Sequence, residues 1–291
     1  MRFRAHETFF VRKGWLYKGI KNVRRKPDIF SDRKNNPTDI LGIGTNMVRS
    51  LRYWLQVTGL TNEVNTGGRH QELTDFARII WENDRYMEEM GTLWLIHYKL
   101  ATQKENATTW YYFFNEFNMQ EFDKNDFINT IRLYTQINNV NVADSSLEGD
   151  FDCLINTYLN KNKMSNEKQN PEENISCPLN ELHLIDIIDK KKKTYKKMSP
   201  QKGLLHPLIV LAVIVDNAKD CEIKISSILN DKKNAGKIFN LDIILLTDIL
   251  YELQKLNYIQ VNRTAGLDVI ILTQKMTFDQ VVEQYYENLR Q

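Results

Sequence analysis

The chain has 291 residues, 42% of them hydrophobic and 26% charged, and a formal net charge of +2. That length allows two domains, or one large helical body with an appended module, with enough apolar content for substantial cores. No apolar run is long enough to span a bilayer, the opening MRFRAHETFF lacks the apolar stretch of a signal peptide, and three widely spaced cysteines, Cys153, Cys177 and Cys221, argue for a reducing cytoplasm rather than a disulfide framework.

The elements follow in chain order. Residues 1–36 are aromatic and basic, with a short strand or arm expected near Met1–Phe10 and a helix near Gly14–Arg25. Pro37, Thr38 and Asp39 look like a helix start, Gly42 and Gly44 make a turn, and Thr45 or Asn46 is placed to cap the next helix. That helix is expected to run to about Val57 and to stop at Gly59 in the left-handed conformation. TNEVNTGGRHQELT then reads as a hairpin with Gly67, Gly68, Arg69 and His70 at its tip. Residues 91–160 repeat apolar residues at helical spacing, and 160–176 have almost no apolar content. The run Lys190–Lys197 suits a short loop or hairpin. Residues 203–291 read as an apolar helix or buried strand, a short helix, a periodic helix over NLDIILLTDILYELQKLN, and two strands joined around Thr264, Ala265 and Gly266.

The expected fold is therefore mainly α with small β hairpins. A basic arm plus a winged helix-turn-helix occupies 1–90, a helical bundle 91–160, a mobile linker 161–176 and a winged-helix-like module 177–291. Charge supports a function for the first of these. Residues 1–70 hold fourteen Lys/Arg against five Asp/Glu, a net +9, which leaves −7 for the rest. Such a basic segment suits a polyanionic partner, although a plain solvated surface has the same composition.

Placing Thr45–Val57 on a helical wheel puts Met47, Val48, Leu51, Trp54 and Leu55 on one side. Asn46, Arg49, Arg52, Tyr53 and Gln56 fall on the other. Arginine reads guanine bidentately, Asn or Gln reads adenine, and all five can hold phosphates. With Arg69 and His70 at the hairpin tip and Arg24 and Arg25 in the arm, these are the candidate contacts to double-stranded DNA. The periodic helix near the C-terminus presents Asp242, Asp248, Glu252 and Gln254, which phosphate repels, so that module is expected to contact protein or to be architectural.

Catalytic signals are sparse. No HxxxH pair occurs among His6, His70, His97, His183 and His206, and no GK[ST] follows the glycines at 42–44. No metal or cofactor is expected, and no complete catalytic motif is present. His6 and Glu7, beside Arg2, Arg4 and Arg12, could do acid–base work, but such a group is more often an ion-paired structural cluster. Cys153 is expected to be buried and inert. The run Trp110–Phe114 with Phe117 invites base stacking, and the helical spacing favours core.

Several stretches in order, HETFFVRKGWLYKG, LGIGTNMVRSLRYW, TLWLIHYKLA, ATTWYYFFNEF, SSLEGDFDCLINTYL, CPLNELHLI, AGKIFNLD and TAGLDVIILT, resemble the bacterial family called Domain of Unknown Function 4007. The resemblance covers nearly the whole chain. It implies a setting beside phosphosulfate-reductase-like genes in DNA phosphorothioation or anti-phage defence clusters, and it carries no catalytic residues. The leading expectation is a non-enzymatic, cytoplasmic, DNA-binding accessory subunit that also holds other subunits of such a complex. The alternatives are a protein-interaction adaptor that does not touch DNA, and a nuclease or sulfur-transfer component using His6 and Glu7.

Overall fold

Helices carry most of the architecture, and three small antiparallel sheets join them. The computed structural model describes residues 1–32, 36–160, 176–264 and 267–290. The linker expected at 161–176 thus lies outside the described residues except for Ser176, as do two of the three turn residues near 265.

The segment Met1–Phe10, expected as a short strand or arm, forms turns and no strand, with Arg4, Glu7 and Thr8 at positive φ. Helix α1 (Trp15–Arg25) follows, then α2 (Pro37–Leu41), α3 (Thr45–Val57), the hairpin β1 (Thr61–Val64) and β2 (His70–Leu73), and α4 (Asp75–Asn83). Asn36 caps α2 by accepting from the Thr38 amide, and Gly42 ends it at φ 61°. The cap of α3 is Gly44, with no side-chain acceptor, so neither Thr45 nor Asn46 plays the capping part expected of them. Gly59 takes φ 70° beyond the end of α3, as expected.

The middle holds α5 (Met90–Ala101), α6 (Thr108–Asn115), β3 (Glu121–Phe122), α7 (Lys124–Ile137) and α8 (Asp144–Tyr158). A capping box of Asp123 and Asp126 starts α7. After a 3-10 turn at Pro178–Leu182 come β4 (Ile185–Asp189) and β5 (Thr194–Lys197), a hairpin across the lysine run. The two residues of β3 add to the edge of β5, a pairing too short to leave a period-2 signal in the sequence.

The last part holds α9 (Pro207–Asn217), β6 (Glu222–Lys224), α10 (Ile225–Asn230), α11 (Ala235–Ile238), α12 (Ile243–Lys255), β7 (Ile259–Thr264), β8 (Leu267–Leu272) and α13 (Phe278–Leu289). The apolar stretch after Pro207 is therefore a helix. Its sheet has the order β6-β8-β7, one strand more than the expected hairpin.

Burial explains where the centre lies. Seven consecutive residues of α9, Leu208–Ile214, are buried, and in α5 every residue from Gly91 to Ala101 is buried except Lys99. Helices apolar on all sides belong inside a fold. His97 of α5 ties them to their surroundings: Nε2 donates to the Ile238 carbonyl and Nδ1 accepts from the Tyr158 hydroxyl, each at 2.8 Å. Burial pushes the His97 pKa down to about 4, so the ring is neutral and structural. The aromatic residues Trp110–Phe114 and Phe117 are all buried, and all but Tyr111 belong to the same continuous core, as their spacing suggested. Among the described residues no helix is long and apolar enough to cross a membrane.

Candidate nucleic-acid interface

Helix α3 is held from two sides. Its inner side is the expected one: Val48, Leu51, Trp54 and Leu55 are buried, and Met47 packs against the core. Helix α1 crosses it closely at Gly19, where an added Cβ would lie 2.7 Å from Leu55 Cδ1. On another side the Met1–Phe10 segment closes over the helix. The Phe9 carbonyl accepts from Trp54 Nε1 at 2.9 Å and from Ser50 Oγ at 3.3 Å.

That second cover corrects the wheel at one position. Tyr53 is 3% exposed and lies against His6 and Trp54, so it is not on the outer face. Asn46 and Arg49 are exposed as expected. Arg49 forms no ion pair among the described residues, and neither do Arg24 and Arg25, both exposed at the end of α1.

Arg52, Gln56 and Arg69 are brought together, but around an acid. Glu63 Oε2 accepts from Arg52 Nε at 2.8 Å, Gln56 Nε2 at 2.9 Å and Gln71 Nε2 at 2.8 Å, while Oε1 pairs with Arg69 Nε at 2.9 Å. Gln71 is in turn fixed by Thr61 Oγ1 at 2.8 Å, and its amide donates to the Pro27 carbonyl at 2.8 Å. Ser31 Oγ donates to the Arg69 carbonyl. The hairpin is thereby strapped both to α3 and to the loop after α1. Sequence reading missed Glu63 as the organiser, since nothing local in TNEV reveals four donors arriving from α3, the hairpin tip and β2.

Burial opposes charge on Glu63, but Arg52, Arg69 and Gln56 outweigh it and hold the carboxyl below its ordinary value of 4.5. A carboxyl whose pKa is lowered by folding contributes stability above its unfolded pKa and loses it as pH falls through the folded one. Glu63→Ala should therefore lower stability by about 1–2 kcal/mol at pH 7. Urea denaturation at pH 7 and pH 3 checks this: the difference from the wild type should shrink at the lower pH.

In front of this clasp lies an open cavity of about 830 Å³, lined by Arg52, Gly67, Gly68, Arg69 and His70 on one side and by Asp28, Phe30 and Ser31 on the other. His70 donates from Nδ1 to the Gly68 carbonyl (2.9 Å) and from Nε2 to Glu72 Oε1 (3.2 Å), and these two contacts raise its pKa. Two guanidiniums and a histidine biased toward its charged form thus face a space large enough for a phosphate group, with Asp28 as the acid on its rim.

The alternative chemistry finds no such arrangement. His6 is fully buried and pairs not with Glu7 but with Asp150, Nε2 to Oδ1 at 2.8 Å. Asp150 also accepts from the Arg4 amide at 2.7 Å and from Thr109 Oγ1 at 2.6 Å. Glu7 forms no ion pair among the described residues. This cluster pins the first residues to α6 and α8. Cys153 and Cys177 are buried, and burial pushes both thiols up; Cys221 is exposed. Among the described residues no three His, Cys, Asp or Glu side chains gather closely enough to cage a metal.

The model of the family described as "Protein of unknown function (DUF4007)" matches residues 3–286. The chain belongs to the DUF4007 family. Two solved structures resemble this DUF4007 chain over 99% of its length and 88% of theirs. One is magnesium ion-bound SspB, 25% identical with a TM-score of 0.85; the other is SspB at 26% identity and a TM-score of 0.84. No protein of curated function matches this DUF4007 chain.

Proposed function

We propose that the chain is a DNA-binding accessory subunit of a bacterial DNA modification system of the phosphorothioation type, or of an associated anti-phage defence system. In this reading α1, α2, α3 and the β1–β2 hairpin act as a winged helix-turn-helix. Asn46 and Arg49 face the duplex, Arg24 and Arg25 hold its backbone, and Arg52, Arg69 and His70 hold a phosphate at the cavity. Tyr53, buried, supports α3 from within. The protein contributes no catalytic step of its own. One observation carries the reading: three arginines that form no ion pair among the described residues stand exposed on two helices that pack on each other, beside a cavity faced by two more. The family membership and the likeness to SspB support the setting.

The test is binding to a short duplex between 50 and 200 mM salt. Each phosphate contact adds roughly 0.9 to the slope of log affinity against log salt. Arg25→Ala with Arg49→Ala should weaken binding about tenfold or more and flatten the slope by about 2. Arg52 is a poorer choice, because its loss also releases Glu63. A wild-type protein that leaves the duplex free at low salt, or a double variant that binds as well, rejects the proposal.

A second reading, the adaptor, draws support from α12. Ile243 and Ile244 at its start are 48% and 73% exposed, with Tyr251 and Leu256 at 40% and 49% further along. An apolar outer face on that helix suits a protein contact rather than DNA. Both functions fit one subunit, with DNA held at one end and partner proteins at the other.

A further inference from the structure

A second group of aromatic and basic residues stands apart from α3. Tyr17 of α1 and Trp81 of α4 stack with ring planes 1° apart and centroids 5.6 Å apart. Tyr86, just beyond α4, leans on Tyr17 at 4.9 Å and is 57% exposed. Three cations surround these rings. The guanidiniums of Arg24 and Arg85 lie 4.7 and 5.7 Å from the Trp81 centroid, and Lys21 Nζ lies 5.7 Å from that of Tyr17. None of the three forms an ion pair among the described residues, although Glu82 is exposed on α4 next to Trp81. Only Trp81 of the three rings packs against the core; Tyr17 and Tyr86 stand outside it. The other four tryptophans, Trp15, Trp54, Trp94 and Trp110, are buried.

One exposed ring beside two half-buried ones, interleaved with these cations, is what an unpaired nucleotide requires. The base gains a π-face to stack on, and the phosphates on either side of it find positive charge. A duplex offers no free base face, so this surface and the outer face of α3 suit different forms of DNA. A protein partner matching it would have to bring carboxylates and its own rings together, whereas single-stranded DNA supplies both along one chain. We propose that Tyr17, Trp81 and Tyr86, with Arg85 and Lys21 and with Arg24 shared with the duplex-facing surface, form a stacking platform for unpaired bases of DNA. The proposal rests on the DNA-binding reading above and adds a strand-selective site to it.

The experiment titrates the full chain with a short fluorescein-labelled oligothymidylate and, separately, with a duplex, following oligonucleotide anisotropy and protein tryptophan fluorescence. Trp81 is the half-buried tryptophan, so stacking should quench the fraction of emission that iodide also reaches. Tyr86→Ala, at an exposed position, should weaken oligothymidylate binding about tenfold, and Trp81→Ala by up to about a hundredfold. Trp81→Phe should restore most of the loss, because it keeps a ring. Neither Tyr86→Ala nor Trp81→Phe should change duplex affinity, and Arg49→Ala should weaken the duplex alone. Duplex binding with oligothymidylate affinity unchanged in Tyr86→Ala and Trp81→Ala overturns the platform and leaves the function standing. No binding to either DNA overturns both. An oligouridylate held more tightly than the oligothymidylate overturns the assignment to DNA.

Discussion

Replacing Asp150 with alanine should lower the stability of the fold by about 3–5 kcal/mol, seen as a shift of the urea midpoint at unchanged slope. Asp150 is 1% exposed and serves three donors: His6 Nε2 and Thr109 Oγ1, both buried away from water, and the Arg4 amide. His6 Nδ1 is already without a partner among the described residues. Losing Asp150 leaves both ring nitrogens of a fully buried histidine unsatisfied, next to an unsatisfied hydroxyl, which is the costly side of hydrogen bonding. Asp150→Asn keeps acceptors for part of this set and should cost less. The pair His6→Ala and Asp150→Ala should be far from additive, because much of the single-variant cost is the stranded partner. Additive costs would mean that the two groups contribute separately and that the cluster does not act as a unit.

Gly236→Ala should be at least as damaging, by about 3 kcal/mol or more, for a steric reason. In α11 the glycine sits against the last turns of α10, and a Cβ there would lie 2.1 Å from the Leu229 carbonyl oxygen and 2.5 Å from its Cα. Those are backbone atoms, and no rotamer moves them away. The same substitution at Gly149, inside α8, meets nothing within 4 Å. Gly149→Ala should stabilise by about 0.5–1 kcal/mol, since alanine restricts the unfolded chain at no cost to the helix. Thermal denaturation of the two variants side by side should give shifts of opposite sign. Two shifts of the same sign would refute the steric account.

Much of the helical framework could be read from the sequence. The limits of α1, α2 and α3, the hairpin after Gly59, the periodic helix now α12 and the pairing of β7 with β8 all follow from apolar spacing and glycine positions. What could not be read depends on chain segments far apart in sequence. Tyr53 lies on the polar side of a wheel that knows only its own helix. It is buried because residues 1–10 fold back over α3, which the Phe9 carbonyl fixes through Trp54. Arg52 and Gln56 look free for the same reason, and Glu63 takes them up from across a loop. The ring cluster brings together Tyr17 and Trp81, more than sixty positions apart in sequence. The aromatic and basic bias of residues 1–36 was visible, but no local pattern joined it to WENDRYM.

Helix α13 has a consequence for synthesis of the chain. It packs on α9 and on α4. Phe278 meets Phe76 edge to face, and Tyr286 shares a 2.6 Å hydrogen bond with Thr92 Oγ1. An added Cβ on Gly91 would stand 2.3 Å from the Tyr285 ring. Part of the early chain therefore presents an unfinished surface until residues 278–289 have been translated. Helices α1 to α3 have time to form on the ribosome, but α4 and the start of α5 must wait for their last neighbour. A nascent chain stalled before residue 278 would expose Phe76 and the region around Gly91.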